Sequence, residues 1–422
     1  MKKLFVVVWM CVGVLFAKVD ATLEVVKQVG NAPTILIQTI EGGGELAPKI
    51  SRMLMADLKI TGHFKAQEAQ NAVLEEEVIN FDALRAEGVN LVFRIKVWQT
   101  QENLVVKALL YDVNLSRLVL DKEYSTKEIA SYPMIVHRIA IEANDYIKAP
   151  KVDWLNRKVV LAYYTKSGES KIIQADYTLS FVETLVEGGL NIFPKWANKE
   201  QSAIYYTKYL DKPTLFKYDL KTGQTTQMFN SNGMLVVSDV SKDSSKLLVT
   251  MAPKDQADVF LYDVAKNSFQ QITKYRGIDV SGNFIDEEQR IMFISDRLGY
   301  PNIFGVSIMG ESMGAVEQMV YHGRNNNAAN AYGEYIVYSS RESSEEFGRN
   351  TFNLYLVSSK SDFIRRLTAN GVNQLPRFSS DGETIMYLKH QENQSALGII
   401  RLNYNKTFLF PLKEGVIQSM DW

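Results

Sequence analysis

The one stretch spaced like a catalytic nucleophile is Gly310-Glu311-Ser312-Met313-Gly314. It fits Gly-x-Ser-x-Gly, the strained strand-to-helix turn that presents a serine hydroxyl to a histidine base in α/β hydrolases. That chemistry needs a strand before the serine, a helix after it, and an acid and a histidine further along the chain. Moving back 44 residues from Gly310 and Glu311 reaches Lys266 and Asn267, and a second step reaches Thr222 and Gly223. Those are the turns after VFLYDV and LFKYDL. No helical period follows Ser312, so the pentapeptide reads as a turn of a repeating unit. The histidines at 63, 137, 322 and 390 lack any ligand spacing such as His-Glu-x-x-His and read as structural or surface residues. Gly42-Gly43-Gly44 lacks the Gly-Lys-Ser/Thr ending of a phosphate loop and reads as a flexible turn before a helix. Glu75-Glu76-Glu77 reads as a solvated face, and Cys11 is the only cysteine. The residues therefore predict no catalytic group, no metal site and no cofactor.

What positions these residues is a repeat. WLNRKVVLAYYTK from Trp154 and WANKEQSAIYYTK from Trp196 nearly superpose. The same place is held by Val240, Phe284, about Ala328, Phe378 and Trp422, at intervals of 42, 44, 44, 44, 50 and 44. A period of this length marks a propeller blade or a solenoid unit. Eight residues after each anchor comes a short aromatic and β-branched run, such as IYYT, LVTM or MFIS, as half-buried strands require. Polar turns such as Ser379-Ser380-Asp381-Gly382 separate the runs. Four short strands per unit without a helical period predict six blades. Glycine stands seven residues before an anchor at 189, 233, 277, 371 and 415, with Gly323 displaced by two. A glycine in phase implies positive φ or a close approach between blades. The longer interval places six extra residues within 341–350, a lengthened hairpin loop.

Ahead of the repeat the order is mixed. TILIQTI (34–40) reads as a strand and 46–60 as an amphipathic helix; 89–98, 104–113 and 116–124 read as strands, and 132–148 as a closing helix. This predicts a helix-backed α+β domain over 18–150, with Ala149-Pro150 as linker to a propeller over 151–422. Residues 1–17, with Lys2 and Lys3 before the apolar run Leu4–Phe16, have the layout of a secretory signal peptide. Cleavage after Ala17 is the first expectation and after Ala21 the second. Removing 1–17 leaves 45 basic against 48 acidic residues, a balance with no general pull toward nucleic acid.

ADLKITGHF (56–64), HRIA (137–140) and the repeats, above all PRFSSDGETIMYL (376–388), resemble the TolB family. The resemblance covers nearly all of the chain beyond the signal, in the family's domain order. Several units lack the family's Ser-Pro-Asp-Gly turn, and Phe or Val often replaces the anchor Trp. The resemblance implies an α+β N-terminal domain followed by a six-bladed β-propeller. It also implies a periplasmic, non-enzymatic protein-binding scaffold of the Tol-Pal system, supporting outer-membrane integrity and envelope constriction at cell division. The implied partners are the peptidoglycan-associated lipoprotein Pal at the propeller mouth and the inner-membrane protein TolA at the mature N-terminus.

Polar residues of the loops before the anchors, Arg276, Asp279, Arg324 and Asn373, are the candidates for the mouth contact. Val19, Leu23, Val25 and Val26 are the candidates on an N-terminal arm, Lys18 to about Val29, that adds as an extended strand to a partner. A second class stays open: a propeller-containing serine hydrolase working through Ser312, or a glycan-binding propeller. The C-terminal anchor carries the glycine signal at 415 and the N-terminal anchor does not. Val416–Trp422 is therefore expected as the innermost strand of the first blade, beside 159–165.

Overall fold

The computed structural model describes residues 32–310, 312–342, 351–391 and 394–422. The signal segment, the arm with Val19, Leu23, Val25 and Val26, Glu311 and most of the lengthened hairpin loop lie outside the described residues.

The N-terminal part is one sheet backed by two helices. Strands β1 (Thr34–Thr39), β2 (Lys65–Glu68), β3 (Leu91–Gln99), β4 (Leu104–Asp112) and β5 (Arg117–Thr126) stand in the order β2-β1-β3-β4-β5. β1 runs parallel to both neighbours, and the remaining pairs are antiparallel. Helix α1 (Leu46–Thr61) turns Ile50, Leu54 and Leu58 onto the sheet, all fully buried. Each such side chain contributes about 1.5–3 kcal/mol by leaving water. The helix stops at Gly62, whose φ of 81° suits a left-handed cap. Helix α3 (Tyr132–Tyr146) starts with a proline in its first turn and packs beside α1. Two elements go beyond the sequence reading: β2, a polar four-residue edge strand, and α2 (Phe81–Ala86), a helix of under two turns. Both are too short to set up a period.

From Val159 onward the chain is β-structure of the propeller type. Three of its sheets have four antiparallel strands, as in Leu190–Trp196, Ala203–Tyr209, Pro213–Asp219 and Thr225–Asn230, and one has five. The repeat does not divide into six separate sheets. Strands from Asn326 to Pro411 form one eight-stranded sheet, joined by a parallel bridge between Phe352 and Val372. There the Phe352 N–H donates to the Gly371 carbonyl at 3.0 Å, as the Ser170 N–H does to the Gly189 carbonyl at 3.1 Å in the first unit.

The C-terminal strand, Val416–Asp421, pairs antiparallel with Val159–Lys166 and opens that sheet, as expected from the glycine phase. Trp154 instead lies on a 3-10 turn, Asp153–Asn156, with its ring 5.9 Å from that of Trp422. The fourth anchor is corrected. Ala331, not Ala328, stands opposite Ile336 as Phe378 stands opposite Ile385, because the turn at Gly333 is shorter than its counterparts. Two of the phased glycines show why no side chain fits there, Gly415 by positive φ and Gly277 by a close approach within its own sheet. Gly415 has φ 86°, whereas at Gly277 an added Cβ would lie 2.0 Å from Asp296 Oδ1.

Candidate partner-binding surfaces

Strand direction divides the propeller loops into two faces. Loops that enter the first strand of each sheet share a face with the turns between second and third strands. The opposite face carries the turns after the first and third strands, and there the N-terminal domain sits.

The open face carries the predicted mouth residues, in two different roles. Arg276 and Arg324 are exposed, and the Arg324 guanidinium lies 5.7 Å from the Tyr300 ring centre. Asp279 is fully buried and accepts from Arg297 Nη2 through both oxygens, at 3.2 and 3.1 Å. Asn373 is also fully buried and donates through Nδ2 to the carbonyls of Phe352 and Asn370 at 3.0 and 2.9 Å. Asn191 and Asn326 brace their own loops in the same way, with Nδ2 on the carbonyls of Gly188 and His322. The sequence reading missed the apolar residues here. Met234, Ile278 and Val416, each following a phased glycine, are exposed, with Tyr321, Leu210 and Leu298 on the same face. The signal for them was in the repeat, one place after the glycine.

The anchor-bearing strands of successive units are linked through polar side chains. Lys195 Nζ stands 2.8 Å from Asp421 and 3.6 Å from Asp239. The Trp196 N–H donates to Asp421, the Phe284 N–H to Asp239 and the Phe378 N–H to Asn330, each at 2.9 Å. Asn330 Nδ2 reaches Asn283 Oδ1 at 3.4 Å, and Arg377 Nε lies 3.8 Å from Asp421, where the series began. Lys195 and Arg377 flank Asp421, with Asp239 beyond Lys195, so these partly buried charges are paired, while the neutral Asn283 and Asn330 carry the rest of the series.

The seam between the two domains is the third candidate, and the motif residues build it. α1 supplies Asp57, α3 supplies His137, and the propeller turn after Glu169–Ala175 supplies Asp176 and Tyr177. His137 Nδ1 is 2.7 Å from Asp57 Oδ2, and its Nε2 is 3.2 Å from Asp176 Oδ2. The Tyr177 hydroxyl donates to Asp57 Oδ1 at 2.5 Å. Burial by itself would depress the His137 pKa, but the two carboxylates outweigh it and raise the value to about 9. Asp176 is held below the ordinary carboxylate range: against the upward push of burial, it accepts hydrogen bonds from His137, Thr178 and the Phe181 N–H. Burial, then the Asp57 charge, pushes the Tyr177 phenol well up. Arg401, almost fully buried, adds a second tie: Nη2 donates to the Thr61 carbonyl at 3.1 Å and Nη1 to Thr384 Oγ1 at 2.6 Å. Its guanidinium lies over Trp154 and Tyr404, 5.5 and 5.4 Å from the ring centres.

The other sequence candidates fall into ordinary places. Ser312 lies just past a hairpin turn, opposite Met309, and Gly310 has φ 65°. His63 Nδ1 meets Asn144 Oδ1 at 2.5 Å, and burial lowers its pKa. His322 meets the Tyr338 hydroxyl and His390 meets Ser395 Oγ, at 2.9 and 3.1 Å. Gly42-Gly43-Gly44 turns into α1 beside a cavity of about 510 Å³ that Trp98 and Lys49 also line. Among the described residues no helix is long and apolar enough to cross a membrane.

Comparison with known proteins covers both parts of the chain. The TolB amino-terminal domain matches residues 21–119 and the TolB beta propeller domain matches 157–422. The Tol-Pal system protein TolB of Wolinella succinogenes is 56% identical over 424 residues, 100% of each chain. The protein of that name from Helicobacter hepaticus is 46% identical over 407 residues, 96% of each chain. That of Campylobacter jejuni is 42% identical over 430 residues, again 100% of each. Among solved structures, TolB from Acinetobacter baumannii superposes with a TM-score of 0.76 at 19% identity, covering 92% of this chain and 96% of that one, a likeness of fold. With both domains matched in order and full-length relatives at this identity, the chain belongs to the TolB family.

Proposed function

We propose that this chain is a non-enzymatic, periplasmic protein-binding scaffold of the Tol-Pal system, supporting outer-membrane integrity and envelope constriction at division. The observation that carries the reading is full-length identity of 56% to a Tol-Pal system protein TolB. Residues 1–17 act as the export signal, cleaved after Ala17 or Ala21; 18–150 form the α/β N-terminal domain and 151–422 a six-bladed propeller. Supporting a six-bladed ring, the polar series from Asp421 through Lys195, Asp239, Asn283 and Asn330 to Arg377 returns to Asp421. Ser312, on a hairpin, has no part in the function.

Pal docks on the open face. Exposed apolar groups at Met234, Ile278, Tyr321 and Val416 supply the contact area, with Arg276 and Arg324 as charges among them. Apolar and aromatic residues surrounded by polar ones are the usual anatomy of a protein interface. Asp279 and Asn373 serve it indirectly, by holding the loops. TolA binds the mature N-terminus through Val19, Leu23, Val25 and Val26. Calorimetric titration with purified Pal tests the mouth. Reversing Arg276 and Arg324 together, to glutamate, weakens binding at least tenfold, about 1.4 kcal/mol. Wild-type affinity in that variant, with the same loss on mutating the opposite face, would refute the placement.

A further inference from the structure

The seam between the domains holds a charge arrangement that a structural role alone does not require. Both ring nitrogens of His137 face a carboxylate oxygen, at 2.7 Å on the N-terminal side and 3.2 Å on the propeller side. A neutral imidazole has one donor and one acceptor nitrogen, so a neutral ring would turn a lone pair toward a carboxylate. The imidazolium donates at both. The side chains of His137, Asp57 and Asp176 are fully buried. Water therefore cannot take over for a missing proton while the domains stay together. The carboxylates are held by further donors: Tyr177 donates to Asp57 Oδ1, the Thr178 N–H to Asp176 Oδ2 at 3.0 Å, and the Phe181 N–H to Asp176 Oδ1 at 2.6 Å.

We propose that the Asp57–His137–Asp176 bridge is a proton-dependent latch: it fixes the N-terminal domain on the propeller while His137 is an imidazolium and releases it when that proton leaves. The two halves of the latch come from different domains, so opening it parts the seam, together with the Tyr177–Asp57 and Arg401–Thr61 hydrogen bonds and the apolar contacts that cross it. The charged and titratable groups facing the ring are Asp57 on α1 and Asp176 and Tyr177 on the propeller turn. One step out lie Tyr132 at the start of α3, which feels the Asp176 charge, and Arg52 on α1 behind it. The Trp154 and Phe410 rings close the far side of Tyr177, each 5.4 Å from it.

The sign follows from the direction of each pKa. His137 is raised from 6.5 to about 9, so its contribution is complete below 6.5 and is lost as pH rises through about 9. Asp176 is lowered from 3.8, so its contribution is present above that value and is lost only as pH falls below it. The latch is closed between these limits and opens on the alkaline side by loss of one proton.

The test uses the full chain. Nitrogen-15 labelling of the histidines reads the His137 ring directly, and small-angle scattering reads the distance between domains, both from about pH 6 to about pH 10. The ring is expected to stay doubly protonated through neutrality, with the scattering envelope lengthening reversibly as it titrates. His137→Gln should give the longer envelope at every pH, with the melting of each domain retained. Should that variant fail to fold, Asp57→Asn keeps the shape but removes one carboxylate charge, and should lower the release midpoint by about one to two pH units. A ring that loses its proton while the envelope stays closed overturns the proposal. So does an Asp57→Asn chain that releases at the wild-type pH or never releases.

Discussion

Removing residues 416–422 is the sharpest perturbation of the propeller that the structure offers. The deletion takes away the strand that pairs with Val159–Lys166 and leaves that strand as a bare edge. Ile417 and Met420 are 1% and 3% exposed, and losing two such side chains costs about 3–6 kcal/mol. Asp421 goes too, which orphans the Trp196 N–H and takes from Lys195 its nearest carboxylate. An unsatisfied buried donor adds about 1–3 kcal/mol. The total, about 4–9 kcal/mol, compares with about 5–15 kcal/mol for the whole stability of an ordinary domain. At roughly 2–4 °C per kcal/mol for a domain of this size, the propeller transition should fall by about 10–30 °C. Scanning calorimetry on the truncated and intact chains reads it, with a chain trimmed at 18–29 as the control that should not move. A truncated chain that melts with the intact one would show that the C-terminal strand does not hold the propeller together.

Three further outcomes are expected. Ser312→Ala should leave melting and Pal binding unchanged, since the serine is exposed on a hairpin; covalent labelling of Ser312 by a fluorophosphonate in the folded protein would reopen the hydrolase reading. Gly415→Ala should destabilise by more than the about 1–2 kcal/mol of a left-handed backbone, because the new Cβ also lies 2.5 Å from Tyr163 Cδ2. Gly299→Ala, with similar φ and nothing within 4 Å, should show the backbone cost alone in chemical denaturation, and equal losses at the two sites would discount the clash. Deleting 18–29 should abolish TolA binding and spare Pal binding in a pull-down, and survival of both would exclude the arm.

The repeated β-structure was legible from spacing, because a repeated unit writes the same strand-and-turn demand into the chain every 42 to 47 residues once the fourth anchor stands at Ala331. Spacing alone placed the C-terminal strand beside Val159–Lys166, since only one of two equivalent anchors carried the glycine. Where the local signal was weak the register slipped. No aromatic residue marked the fourth unit, so its anchor fell at Ala328 instead of Ala331. The polar four-residue β2 and the short α2 gave no period to read.

The tertiary structure alone decided what the polar side chains do. Asp279 and Asn373 sit in loop-like sequence and read as surface groups, yet both are fully buried, because Arg297 and two backbone carbonyls are brought to them. His137 read as structural or surface, and it is clamped by carboxylates 80 and 39 residues away along the chain. Strand and turn preferences act over a few neighbouring residues and so leave a trace in local spacing. The partner of a buried charge is set by how whole domains pack, and no local pattern carries it.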